Sequence, residues 1–147
     1  PQLTLNLLEL EKNSPSYTIE TLELLRAKYP NDTLLFVIGM DSLTQFHSWF
    51  RFQDILKLCH LLVCQRPGYQ PELAETTALL AEHQLQTVSD LHIQTAGGIL
   101  LLPTPLLDVS ATAIRRSLQQ PDIPTTSNPL QIDEVAAYIK AHQLYQV

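Results

Sequence analysis

Three short runs of this 147-residue chain, TLLFVIG (33–39), HLLVCQ (60–65) and GILLLP (98–103), are apolar almost throughout and do not alternate with polar residues. A strand with one wet face alternates. A continuous run of branched and aromatic residues reads instead as a strand buried on both faces, the habit of parallel sheets. The stretches between these runs carry helical spacing. Buried strands alternating with helices of ten or so residues predict βαβ units and a doubly wound α/β fold with a mostly parallel sheet.

The remaining segments fit around that frame. LTLNLLEL (3–10) alternates in part and reads as an edge or half-buried strand. In SPSYTIETLELLRAKYP, Ser16 or Thr18 can cap a helix with Ile19, Leu22, Leu25 and Tyr29 on one face, and Pro30 and Asn31 stop it. MDSLTQFHSWFRFQDILKL (40–58) is mostly helical with a break near His47 and Ser48. RPGY (66–69) is a turn, and 71–85 is a helix with Pro71 in its first turn. A further strand is expected near 91–94. Residues 119–129 form a Pro-, Ser- and Thr-rich loop. Ile132, Val135, Ala136 and Ile139 form the apolar face of a closing helix.

Charge excludes one class of function. The net charge of −6 opposes general nucleic-acid binding, which needs a basic face, but leaves room for one small phosphate compound at a local basic cluster. No apolar run reaches the roughly 18 residues that span a bilayer. Cys59 and Cys64 flank His60 and three aliphatic residues, so they read as free thiols in a core strand. The five histidines do not cluster in the sequence. These features predict a cytoplasmic protein without structural metal.

In a doubly wound sheet, ligands bind beyond the carboxyl ends of the strands. IGMDSL (38–43) stands at such an end. Gly39 lets a ligand approach the backbone, and Asp41 can accept hydrogen bonds from ribose hydroxyls or simply cap the following helix. FHSWF (46–50) holds the only tryptophan, Trp49, which can stack on a flat heterocycle or serve as a core or lid residue. DVSATAIRRSL (108–118) reads as a helix start without the usual first-turn acid. Ser110 and Thr112 offer hydroxyls beside unpaired amides, and Arg115 lies on the same side as Thr112. Together they make a phosphate site, or, less specifically, a solvated arginine pair on an exposed helix.

These motifs, in this order, resemble the bacterial nicotinate-nucleotide adenylyltransferases of the nucleotidylyltransferase superfamily. The resemblance rests on Glu9-Leu10, Ser16-Tyr17-Thr18, Ile38 to Leu43, Phe46 to Phe50, Cys64 to Gly68 and the VSATAIR signature, and it covers nearly the whole chain. It implies a Rossmann-like nucleotidylyltransferase fold and adenylyl transfer from ATP to nicotinate mononucleotide, giving deamido-NAD and pyrophosphate. By that resemblance Trp49 stacks on the pyridine ring, and Tyr17, Thr18 and the backbone at Phe50 hold the nicotinate carboxylate. Phe50 stands where a tyrosine is often found. Gly39 and Asp41 contact the adenylate ribose. Ser110, Thr112 and Arg115 contact the ATP phosphates, and Arg66 lies near a phosphate. Mg²⁺ arrives on those phosphates, with no protein-bound metal. No nucleophile or general base is expected, and Arg115 is the best candidate for stabilising charge. Another adenylyltransferase, such as one acting on pantetheine phosphate, and a noncatalytic nucleotide- or protein-binding remnant remain as alternatives.

The family's G-x-F-D-P-x-H-x-G-H motif, whose histidines bind the triphosphate, does not occur in residues 1–147. The resemblance begins at the family's third strand, so the expected domain is single but incomplete, with its N-terminal strands missing. In a 3-2-1-4-5 strand order, that loss strips LTLNLLEL of its partner and leaves TLLFVIG with an open edge. The chain alone is expected to be poorly stable or to self-associate, and not to catalyse the transfer.

Overall fold

The computed structural model describes residues 3–10, 15–65, 74–104 and 133–145, together with Thr112 and Arg115. The chain divides into two compact units, Pro1–Thr104 and Pro105–Val147.

The first unit runs α1 (Thr18–Lys28), β1 (Leu35–Gly39), α2 (Met40–Thr44), a 3-10 turn (Phe46–Ser48), α3 (Phe52–Leu58), β2 (His60–Cys64), α4 (Ala74–His83), β3 (Gln84–Leu85), a second 3-10 turn (Val88–His92) and β4 (Ile99–Leu102). The strands form one sheet in the order β1-β2-β4-β3, parallel throughout. Leu35 lies opposite His60, Gly39 opposite Cys64, and Leu61 opposite Ile99, so the carboxyl ends of the three longer strands are aligned. The apolar runs are these strands, as their composition predicts. Ile19, Leu22, Ile38, Leu43, Phe46, Ile55, Leu61, Val63 and Ile99 make the core between helices and sheet.

Several expectations fail for identifiable reasons. Residues 3–10 are not a strand: they form an irregular segment ending in a turn, with Leu3 and Leu10 exposed, and no described strand offers them a ladder. Their link to the fold is polar, the Thr21 hydroxyl donating to the Glu9 carboxylate at 2.7 Å. Residues 91–94 are not a strand either: Leu91 and His92 end the 3-10 turn Val88–His92, whose start Asp90 fixes by accepting from the Gln86 and Thr87 amides. The N-cap of α1 is Tyr17, with no side-chain capping bond from Ser16 or Thr18. The helix expected over 71–85 yields residues 84 and 85 to β3. Pro71, the RPGY turn and the loop at 119–129 lie outside the described residues.

β1 departs most from its expected burial. Leu35 and Val37 are 46% and 60% exposed, and among the described residues β1 has a neighbour on one side only. The open edge expected of TLLFVIG is thus seen among the described residues.

Two polar devices tie the loops together. The Arg26 guanidinium donates to five main-chain carbonyls, those of Tyr29, Pro30, Asp32, Leu58 and Thr95. His60, 1% exposed, accepts from the Gly98 amide through Nδ1 at 2.8 Å, and its Nε2–H donates to the Gln94 carbonyl at 2.9 Å. Those partners fix the ring as the neutral Nε2–H tautomer. Gly98 has no room for a side chain, since a Cβ there would strike Leu85 and the His60 ring.

In the second unit α5 (Asp133–Ala141) is the closing helix. Ile139 is buried, whereas Val135 is exposed. No helix among the described residues is long and apolar enough to cross a membrane.

Candidate active site

Four of the residues singled out for a pyridine ring converge. Tyr17 and Thr18 at the start of α1, and Trp49 and Phe50 in the turn between the 3-10 segment and α3, line one cavity of about 260 Å³, closed by Ser16 and Ile55. That volume suits a single ring with a substituent rather than a whole dinucleotide.

Each wall has a local cause. No side chain caps α1, and the Glu20 and Thr21 amides already donate to the Tyr17 carbonyl, which leaves the Thr18 and Ile19 amides without an acceptor among the described residues and open to an anion. On the opposite wall, Trp49 is half-buried. Its ring packs on Phe46 at 5.4 Å between centroids and meets Phe36 edge-on at 6.2 Å. The core thus holds one part of the indole, as the core reading of Trp49 expects, while the residue also lines the cavity. Phe50 is half-exposed and leans on Tyr17, with centroids 4.8 Å apart and planes tilted by 43°. The two walls touch there.

Gly39 and Asp41 stand at the carboxyl end of β1, on the same crossover to β2 that carries Trp49 and Phe50. Gly39 is the N-cap of α2, and Asp41 makes no capping bond, so the capping alternative for Asp41 does not hold. Its carboxylate instead lies back against the Cα of Gly39, where any Cβ would strike Oδ1. Asp41 is exposed and makes no side-chain hydrogen bond among the described residues. A free acceptor beside a bare backbone at a strand end is what a ribose edge would need.

Thr112 and Arg115 belong to the second unit; both are helical and exposed. Ser110 and Arg66 lie outside the described residues. Ser16 and Ile55 are additions: Ser16 reads from sequence as a cap, and Ile55 belongs to the buried core.

A larger cavity, about 740 Å³, lies between α3 and α4 and includes Lys57, His83 and Gly97 in its lining. Those three precede β2, β3 and β4, so this cavity reaches the amino ends of the strands, opposite to where doubly wound sheets take ligands. Neither cysteine serves the site. Cys59 is buried and Cys64 half-buried, and both are free. Among the described residues, no group of three His, Cys, Asp or Glu side chains could hold a metal ion.

Comparison with known proteins identifies the family. Residues 5–117 match the cytidylyltransferase-like family. The chain is 46% identical to a protein of Pectobacterium atrosepticum and 43% identical to one of Pseudoalteromonas atlantica, each named probable nicotinate-nucleotide adenylyltransferase. Both matches cover 99% of this chain, but 68% and 66% of the relatives, so the chain spans about two thirds of their length. Two solved structures of the Plasmodium falciparum nicotinic acid mononucleotide adenylyltransferase, complexed with APC and with NaAD, share the fold. Their TM-scores are 0.54 and 0.56 at 16% and 18% identity; the matches cover 90% and 92% of this chain and 60% of theirs. With a family match over most of its residues and relatives above 40% identity along its whole length, the chain belongs to the nicotinate-nucleotide adenylyltransferases of the cytidylyltransferase-like family.

Proposed function

We propose that this chain supplies the pyridine-nucleotide site, and part of the ATP site, for adenylyl transfer from ATP to nicotinate mononucleotide. The observation that carries the reading is the convergence of Tyr17, Thr18, Trp49 and Phe50 on one ring-sized cavity. Trp49 offers a face for the pyridine, and the uncapped amides of α1 offer donors for its carboxylate. In the reaction, the 5′-phosphate oxygen of the mononucleotide attacks the α-phosphorus of ATP. The bond from that phosphorus to the bridging oxygen breaks, and pyrophosphate leaves with the electron pair. No protein atom forms a covalent bond, so the chain's part is to bind and orient.

Gly39 and Asp41 would hold the adenylate ribose, and Ser110, Thr112 and Arg115 the phosphates, with Arg66 near one of them. Mg²⁺ typically binds through one or two carboxylates plus substrate phosphates. The absence, among the described residues, of any group of three His, Cys, Asp or Glu side chains fits an ion that arrives on the triphosphate rather than one caged by the protein, and such an ion would offset phosphate charge. We place residues 1–147 within one nucleotidylyltransferase domain of a cytoplasmic biosynthetic enzyme, and propose that its open β1 edge makes the isolated chain self-associate.

The 147-residue chain lacks the histidines that the family resemblance assigns to the triphosphate, and is expected to bind without turning over. Trp49 fluorescence, titrated with nicotinate and nicotinamide mononucleotides, tests the site. Tighter binding of the acid supports the carboxylate assignment, and equal affinities overturn it. Turnover with nicotinate mononucleotide, ATP and Mg²⁺ comparable to that of a full-length relative would overturn the inactivity.

A further inference from the structure

The turn that carries Trp49 and Phe50 ends on an unusual residue. Arg51 has φ 54° and ψ 41°, the left-handed conformation that costs any residue with a Cβ. Among the described residues 3–104, no other non-glycine residue has a positive φ. Such a conformation persists where its surroundings hold it. Here the holders are visible. Nη1 of Arg51 lies 3.0 Å from Glu23 Oε1 on α1, and Nε donates to Asp54 Oδ2 on α3 at 2.8 Å. Asp54 is tied in turn to Lys57 at 2.8 Å. The Arg51 carbonyl accepts from the Asp54 and Ile55 amides, and the Ile55 side chain lines the ring cavity.

These bonds cross between the two walls of the cavity. Glu23 belongs to the helix whose first residues carry the Tyr17–Thr18 wall, and Arg51 follows directly on Trp49 and Phe50. We propose that Arg51 is a positioning residue whose fork, held between Glu23 and Asp54, sets the gap between the α1 wall and the aromatic wall. The ligand that would feel this gap rests on the nicotinate reading above; the clamp itself does not. An ion pair this exposed adds little to global stability. It needs only to bias the placement of a two-residue turn, and the left-handed backbone leaves that turn with an alternative into which it can relax.

The test uses the only tryptophan as a local probe. Acrylamide quenching of Trp49 without ligand, the affinity for nicotinate mononucleotide from the same signal, and the thermal midpoint are measured in parallel. Variants are Glu23→Gln, Arg51→Gln, the double variant, and Arg51→Gly, which allows the left-handed turn without steric cost and removes the side chain. Each single variant is expected to raise quenching and weaken binding about threefold to fivefold, the scale of one exposed ion pair, with little change in midpoint. The double variant should be no worse than either single one. Quenching and affinity unchanged in Glu23→Gln or Arg51→Gly, or losses that add in the double variant, would overturn the clamp. If the unsubstituted chain does not bind nicotinate mononucleotide, the nicotinate reading alone fails, and the quenching comparison still decides for or against the clamp.

Discussion

Cys59 and Cys64 lie five residues apart, yet the fold treats them differently. Cys59 ends the turn into β2 with its thiol wholly buried and facing the Ile55 carbonyl at 3.5 Å. Burial disfavours the thiolate and pushes its pKa up to about 12, with Arg26 opposing only weakly. Because the thiolate is the reactive form, Cys59 should resist iodoacetamide at pH 8 in the folded chain, while the half-buried Cys64 is alkylated first. Peptide mapping by mass spectrometry checks this, and equal labelling before unfolding would show that the strand entry is open. The pattern KLCHLLVCQ predicts free thiols, as found, but not that the second sits where β2 runs out. Arg51 was still less legible: arginine is a good helix former, and nothing in its neighbours announces a left-handed turn. Tyr17, Thr18, Trp49 and Phe50 were legible because each belongs to a quotable motif, whereas the Glu23–Arg51 partnership depends on how two elements dock.

At the scale of elements, continuous apolar runs found β1, β2 and β4 within a residue or two, since burial on a parallel sheet selects that composition. LTLNLLEL carries the alternation of a strand, but alternation becomes a strand only where a ladder partner exists. β3 is two residues long, too short to leave a periodic trace. The turn at 88–92 formed where a strand was expected because one carboxylate outcompetes weak β propensity. Asp90 is held below the usual carboxylate range, first by the Thr87 amide, then by the Gln86 amide and the Thr87 hydroxyl. A carboxyl whose folded pKa is depressed stabilises the fold at neutral pH. That contribution is complete above the ordinary aspartate value and fades as pH falls through the depressed one. Thermal midpoints measured from neutral pH down into the acid range should therefore fall more steeply for the native chain than for Asp90→Asn. Parallel curves would remove Asp90 from the cap.

At the scale of the whole molecule, β1 presents Leu35, Val37 and one row of main-chain donors and acceptors, with no charge or proline in LFVIG to guard them. Sedimentation of the native chain over the micromolar range should show species heavier than 16.6 kDa, and Val37→Lys should shift it towards that mass. A native chain that stays monomeric throughout would mean the edge is covered. The Arg26 fork has the opposite character. Every partner it holds is a main-chain carbonyl, from residues 29, 30, 32, 58 and 95. Side-chain identity at those five positions is therefore invisible to it. Apart from Leu58, which ends α3 and packs on the core, these positions can change side chain without loss of the bonds while their path is kept, and the burden of heredity falls on a single arginine that lysine, with its three donors at one point, has no geometry to replace.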